Sequence, residues 1–181
     1  MVLAACIKFP GQLTAAVMMA VLLTGCGLNL GSQGASQALP SQPRGLRPAP
    51  AWVAERMTRA APDLYFDVNS HVLRSREQRR LDQLAPALQD ILHDYPDLII
   101  VIEGHSDDRG LAEYNEQLAQ ERAEAVRQEL RNLSFPEEHL RTAAFGYRAP
   151  QCITQDAACR QKNRRVHFRA ARLWSDSVAA R

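Results

Sequence analysis

Apolar residues are distributed along this chain in three successive patterns. The first is an unbroken run, LTAAVMMAVLL from Leu13 to Leu23, about the length of an export signal's core and well short of the ~20 residues that cross a bilayer. From Gly27 to about Pro50 the pattern disappears. Gly, Ser, Gln and Pro dominate there (GLNLGSQGASQALPSQPRGLRPAP), and too little apolar surface is present to offset the entropy of ordering the backbone. That stretch reads as a flexible tether, spanning about 25 to 30 Å as a coil.

The third pattern is periodic and predicts a folded domain. Asp63 to Ser70 (DLYFDVNS) alternates between turn signals and predicts a strand. Ser75 precedes Gln78 by three, the spacing of a capping box. Leu81, Leu84, Ala85, Leu88, Ile91, Leu92 and Tyr95 then recur at helical intervals, predicting an amphipathic helix from about Arg76 to Asp94. Pro86 lies inside it, where proline costs about 3 kcal/mol or kinks the axis. Pro96 stops the helix. Leu98 to Ile102 is a continuous, largely β-branched run, expected to be a central strand covered on both faces and ended by Gly104. A second helix is predicted over Ala112 to Asn132, with Tyr114, Leu118, Val126 and Leu130 on one stripe whose missing member is Arg122. Strands around Arg141 to Tyr147 and Arg164 to Ala170 follow, the latter with Val166, Phe168 and Ala170 facing inward. The order βαβαββ implies an α+β two-layer sandwich with helices on one face of a mixed sheet.

Composition narrows the function classes. With 22 Lys and Arg against 20 Asp and Glu, the formal net charge is +2, too small a field to steer the chain onto nucleic acid. The export reading is extended by Leu23-Thr24-Gly25-Cys26, which resembles the lipobox of bacterial lipoproteins, with Cys26 as the lipidated first residue of the mature chain. Gly27 after that cysteine, rather than Asp, implies the outer membrane by the same analogy. Several acyl chains on one cysteine hold a protein at a bilayer without a spanning helix. The division expected is therefore a signal over 1–25, a lipidated N-terminus and linker over 26–55, and one domain over 56–175. Cys6 departs with the signal, so Cys152 and Cys159 remain as an even pair in an oxidising compartment and are expected to form a disulfide. Zinc would need two further ligands, and only His167 is close in sequence, so no metal is expected.

The segment GHSDDRGLAEYNEQLAQERAEAV (Gly104 to Val126) resembles the peptidoglycan-binding motif of the OmpA-like C-terminal domains, peptidoglycan-associated lipoproteins among them. YFDVNS (Tyr65 to Ser70), FGYRAP (Phe145 to Pro150) and NRRVHF (Asn163 to Phe168) fall in that family's order and spacing. The resemblance implies non-covalent binding of the meso-diaminopimelate side chain of peptidoglycan stem peptides. It puts the family's aspartate on Asp107 and its arginine on Arg122, with Phe66, Asp67, Arg109 and Leu118 at the rim of the same pocket. It also implies Tol-system partners, with TolB competing for the same face. Two departures are visible: Ser106 stands where threonine is usual, and Leu111-Ala112 replaces Thr-Pro. The Cys152 to Cys159 insertion resembles one in a subset of the family.

The residue chemistry agrees with this. Diaminopimelate carries an ammonium and a carboxylate on one carbon, so its site needs an anion beside a planar cationic fork. Asp107 supplies the acceptor and Arg122 the bidentate donor. Backbone N–H groups after Gly104, near the second helix's start, also favour a carboxylate. Alternatively, Asp107 and Arg122 form an internal salt bridge. An enzyme reading also exists: Gly104-His105-Ser106-Asp107-Asp108 partly matches the G-x-S-x-G nucleophile elbow, or could offer His105, Asp107 and Asp108 to a metal. The fifth position is Asp108 rather than Gly, His105 and Ser106 are adjacent and so face apart on a strand, and the domain is too short for a hydrolase. A binding protein without cofactor is the reading preferred.

Overall fold

The computed structural model describes residues 45–173. The signal, the lipobox with Cys26 and most of the tether lie outside the described residues. The elements in chain order are β1 (Leu46–Pro48), α1 (Ala51–Ala60), β2 (Leu64–Tyr65), α2 (Ser75–Asp94), β3 (Leu98–His105), α3 (Ala112–Asn132), a 3-10 turn (Glu137–His139), β4 (Leu140–Gly146), α4 (Ala157–Asn163) and β5 (Arg165–Leu173). β5 and β3 form the middle of one mixed sheet, ordered β1-β5-β3-β4 with β2 also on β5. β3 runs parallel to β4 and antiparallel to β5. β1 pairs with Ala171 to Leu173 and β2 with Arg165 and Val166, so the two short strands share the remaining edge of β5.

The core follows from the two periodicities. Leu81, Leu84, Ala85, Leu88, Ile91 and Leu92 of α2 and Ala123, Val126 and Leu130 of α3 pack on Leu98, Ile100 and Ile102 of β3 and on Val166, Phe168 and Ala170 of β5. The alternate residues of β3, Ile99 and Val101, form a second, smaller cluster with Ala143 and Ala171. All eight residues of β3 are buried. The expected α+β layering with helices against a mixed sheet is thus the observed fold, and β3 is its central strand.

Several expectations change in detail. The strand expected over Asp63 to Ser70 is only Leu64–Tyr65. Beyond it the carbonyls of Phe66, Asp67 and Ser70 are taken by arginine side chains instead of a neighbouring strand, and the chain turns at Asn69 with φ 55°. Ser75 is the first residue of α2 and not its cap; Arg74 occupies the cap position, and no side chain caps the helix. Helix α2 runs unbroken through Pro86, whose ring lies on the exposed side. Gly104 does not end β3, which continues to His105. Its role is close approach, since a Cβ there would sit 1.9 Å from the Ala119 carbonyl oxygen of α3.

Two helices escaped the sequence reading. Helix α1 buries only Val53 and Met57, too few positions to register as a period, and with β1 it occupies part of the stretch read as linker. Helix α4 is seven residues long and caps itself with Asp156, whose side chain accepts from the Cys159 amide. The expected Cys152–Cys159 disulfide is present, with Cα atoms 5.3 Å apart.

Candidate functional site

At the carboxyl end of β3 the chain leaves the sheet through Ser106 and Asp107 and re-enters regular structure at α3. The Ser106 amide donates to the Gly146 carbonyl at 2.8 Å, tying this exit to the end of β4. Asp107 then turns the loop by accepting from the Arg109 amide at 3.2 Å. A cavity of about 230 Å³ opens here, lined by Val68, Asn69, Ser106, Asp107, Arg109, Gly110, Tyr114, Asn115, Leu118, Arg122 and Arg164. Of the residues expected in a binding pocket, Asp107, Arg109, Leu118 and Arg122 are therefore brought together.

Arg122 is fully buried. Its guanidinium donates to three carbonyls from separate segments: Nε to Ser70 at 2.8 Å, Nη1 to His105 at 2.8 Å and Nη2 to Asp67 at 3.0 Å. The Phe66 ring lies beneath it, 5.4 Å from Cζ to the ring centroid. Burial, with repulsion from Arg164, lowers its pKa to about 10, so it stays charged at neutral pH. Three of its five N–H groups are engaged, and two remain for an anion.

Asp107 does not pair with Arg122. Its Oδ1 accepts from the Arg109 amide and Nε, while Oδ2 accepts from Arg109 Nη2 at 3.0 Å and Arg164 Nη1 at 2.9 Å. Burial pushes this carboxyl up, but the hydrogen bonds from Arg109 and Arg164 outweigh burial and hold it below its usual value. It is an anion at neutral pH. Arg109 is the outer partner, with its side chain half exposed.

Phe66 and Asp67 take different places from the other four. Phe66 is wholly buried and contributes its ring to Arg122 and its carbonyl to Arg164. Asp67 offers its backbone carbonyl to Arg122, while its carboxylate pairs with Arg74 at 3.2 Å. Neither side chain lines the cavity, although their backbone forms the wall behind it.

Arg164 was missed by the sequence reading and is buried against Asp107. The alternation of Val166, Phe168 and Ala170, carried back two residues, would have placed it on the inward face. Ser106 also lines the cavity, and its buried Oγ has no hydrogen-bond partner. His105 instead stacks on Phe145, with centroids 5.1 Å apart, and neither ring nitrogen has a partner. Among the described residues no side chain is hydrogen-bonded to Ser106 Oγ, and no three His, Cys, Asp or Glu side chains group as metal ligands.

Residues 65–164 match the OmpA family. A peptidoglycan-associated lipoprotein of Brucella melitensis is 37% identical over 103 residues, which is 57% of this chain and 59% of that protein. The chain therefore spans less than two thirds of the Brucella relative's length. A peptidoglycan-associated lipoprotein of Rhizobium meliloti is 32% identical over 155 residues, 83% of this chain and 84% of that one. The crystal structure of the peptidoglycan-associated lipoprotein from Burkholderia pseudomallei superposes with a TM-score of 0.55 and 33% identity, covering 61% of this chain and 91% of that chain. The C-terminal domain of Helicobacter pylori MotB shares the fold, with a TM-score of 0.54 and 21% identity over 61% of this chain and 84% of that one. The family match covers the whole site, from the Phe66 wall to Arg164, and the Rhizobium alignment extends along most of both proteins: the chain belongs to the OmpA family.

Proposed function

We propose that this protein is an outer-membrane lipoprotein, anchored through Cys26, whose periplasmic domain binds peptidoglycan non-covalently through the meso-diaminopimelate side chain and so ties the membrane to the cell wall. The observation that carries the reading is the pairing, in one cavity of about 230 Å³, of an ionised carboxylate and a buried guanidinium with two uncommitted N–H groups. Asp107 and Arg122 bring opposite charges to one cavity, which suits a zwitterionic head and no uncharged one. The relatives named peptidoglycan-associated lipoprotein support peptidoglycan as the source of that ligand.

The ligand ammonium replaces Arg109 on Asp107. The four acceptor positions of the carboxylate are filled in the free protein, and Arg109 is the half-exposed partner that is able to swing out. The ligand carboxylate meets the free edge of Arg122. Tyr114 and Leu118 supply apolar walls for the methylene chain, and the Tyr114 hydroxyl, bonded to Asn69, steadies the opposite lip. In this reading the Tol-system proteins, TolB among them, are partners that compete for the same face. Sedimentation of the purified protein with insoluble sacculi tests it. Binding to diaminopimelate-containing walls is expected, with a marked fall on lysine-containing walls, whose side chain lacks the second carboxylate. Equal binding to both wall types would overturn the assignment of Arg122.

A further inference from the structure

Asp107 has two guanidinium partners of unlike standing. Arg109 lies at the mouth with half its side chain exposed, whereas Arg164 is 6% exposed and bonds both walls of the cavity at once. Its Nη1 donates to Asp107 at 2.9 Å and its Nε to the Phe66 carbonyl at 3.2 Å, next to the Asp67 carbonyl that receives Arg122. Its Nη2 donates to the side-chain oxygen of Gln161, whose amide in turn donates to the same Phe66 carbonyl.

We propose that Arg164 is the positioning residue of this site: held by segment 152–163, which the Cys152–Cys159 disulfide and the Asn163 hydrogen bonds brace, it fixes Asp107 against the Phe66–Asp67 wall while Arg109 yields its place to the ligand. The inference rests on the diaminopimelate reading and adds a residue and a segment that act through Asp107.

The segment is built as a brace. Cys152 is joined covalently to Cys159 in α4. It is also held by Asn163, the last residue of that helix, which is buried. Asn163 Oδ1 accepts from the amides of Gln151 and Cys152, both at 3.0 Å, and Nδ2 donates to the Cys152 carbonyl at 2.8 Å. Arg164 is the next residue. Its amide closes α4 on the Arg160 carbonyl at 3.1 Å, and its own carbonyl accepts from the Phe66 amide at 3.0 Å. Arg160 adds a bond from Nε to Asp108 at 2.9 Å. Arg160 and Gln161 of the short helix and Arg164 directly after it thus reach Asp108, the Phe66 carbonyl and Asp107. A planar fork suits this task because one side chain must satisfy acceptors in different directions.

When a ligand displaces Arg109, Asp107 is left with Arg164 and the incoming ammonium. Without Arg164 the buried carboxylate would lose its fixed counter-charge, and its protonation would compete with binding. A group whose bound, ionised form is held by a cation titrates at lower pH than one without it. Loss of Arg164 therefore moves the acid limb of binding to higher pH.

The test uses the full chain purified in detergent and a soluble stem peptide ending in meso-diaminopimelate, titrated by calorimetry across a pH series. Folding is checked by circular dichroism, and the Asp107 carboxyl is followed by carbon-13 NMR. Arg164→Gln is expected to weaken binding at neutral pH at least about tenfold and to shift both the acid limb and the Asp107 titration upward. Arg164→Lys restores part of both, because it returns the charge without the fork. The paired change Cys152→Ser with Cys159→Ser, and separately Gln161→Ala, shift the acid limb the same way by less, and they decide the matter if Arg164→Gln does not fold. Wild-type affinity with an unmoved acid limb in folded Arg164→Gln, or in both substitutes for it, would overturn the proposal. Full binding by folded Asp107→Ala would overturn the diaminopimelate reading itself.

Discussion

Arg122 carries a structural task and a binding task with one guanidinium, and the two separate under mutation. Arg122→Ala strips partners from three carbonyls, each unpaired buried group costing about 1 to 3 kcal/mol. It should lower the melting temperature as well as abolish sacculus binding. Asp107→Ala should abolish binding while leaving Arg122 and its three carbonyls in place, so its thermal loss should be the smaller of the two. Comparing denaturation curves with sedimentation for both variants checks this. A second residue sets acid stability. Burial, then Arg165 and His167, pushes the His105 imidazole down to about 3 from its ordinary 6.5. Because the folded value lies below the unfolded one, stability is greatest above pH 6.5 and is lost as pH falls toward 3, on the order of 5 kcal/mol in all. Urea midpoints measured from pH 7 to pH 4 should fall, and His105→Phe, which keeps a ring against Phe145, should flatten the slope. Arg122 was legible in the sequence as a cation on an apolar stripe. Its partners were not, because backbone carbonyls leave no mark on residue type, and the buried pair of Asp107 with Arg164 joins residues 57 positions apart in the chain.

At the scale of elements, the long helices and the central strand were legible because each buries a repeating set of side chains. Helix α3 runs over Ala112–Asn132 as its stripe predicts. Short pieces held by few contacts were not: α1 by Val53 and Met57, α4 by its cap, its disulfide and Asn163. Helix α2 tolerates Pro86 because the ring faces solvent, but the missing N–H still weakens the turn. Pro86→Ala should raise stability by about 1 to 3 kcal/mol without touching the site. Thermal denaturation checks it. The disulfide closes a short loop, seven positions from Cys152 to Cys159, for which chain entropy gives about 2 to 2.5 kcal/mol. Reduction should therefore lower the melting temperature by a few degrees. Gly104→Ala is the harsher change, since the intruding methyl meets helix backbone and not a side chain that could turn aside. It should cost at least about 1 to 3 kcal/mol and disturb the loop that carries Asp107.

For the whole molecule, the proposed anchor and the proposed ligand site have to act together. Cys26→Ser should give a product that takes up no labelled fatty acid and leaves the membrane fraction, yet still sediments with sacculi, because the cavity and the wall behind it lie within residues 66–164. Loss of wall binding by that variant would separate the fold from the function proposed for it. The positions of entry and site also define a direction of pull. β1 pairs with Ala171 to Leu173, the end of β5 that lies beside Leu98 at the start of β3, and Asp107 follows the other end of β3. A tether arriving at Leu46 and a ligand held at Asp107 would therefore grip the sheet at opposite ends of its strands, about 25 Å apart at the usual rise per residue. On the proposed function, tension between membrane and wall would run along the strands and shear first the β1–β5 pairs Leu46–Leu173 to Pro48–Ala171 and, through β5, the longer β3–β5 ladder from Leu98–Arg172 to Gly104–Val166. Such a domain should resist steady pulling far better than its modest size implies, and stretching it from Leu46 against a handle at Asp107 should require more force than stretching it across the strands.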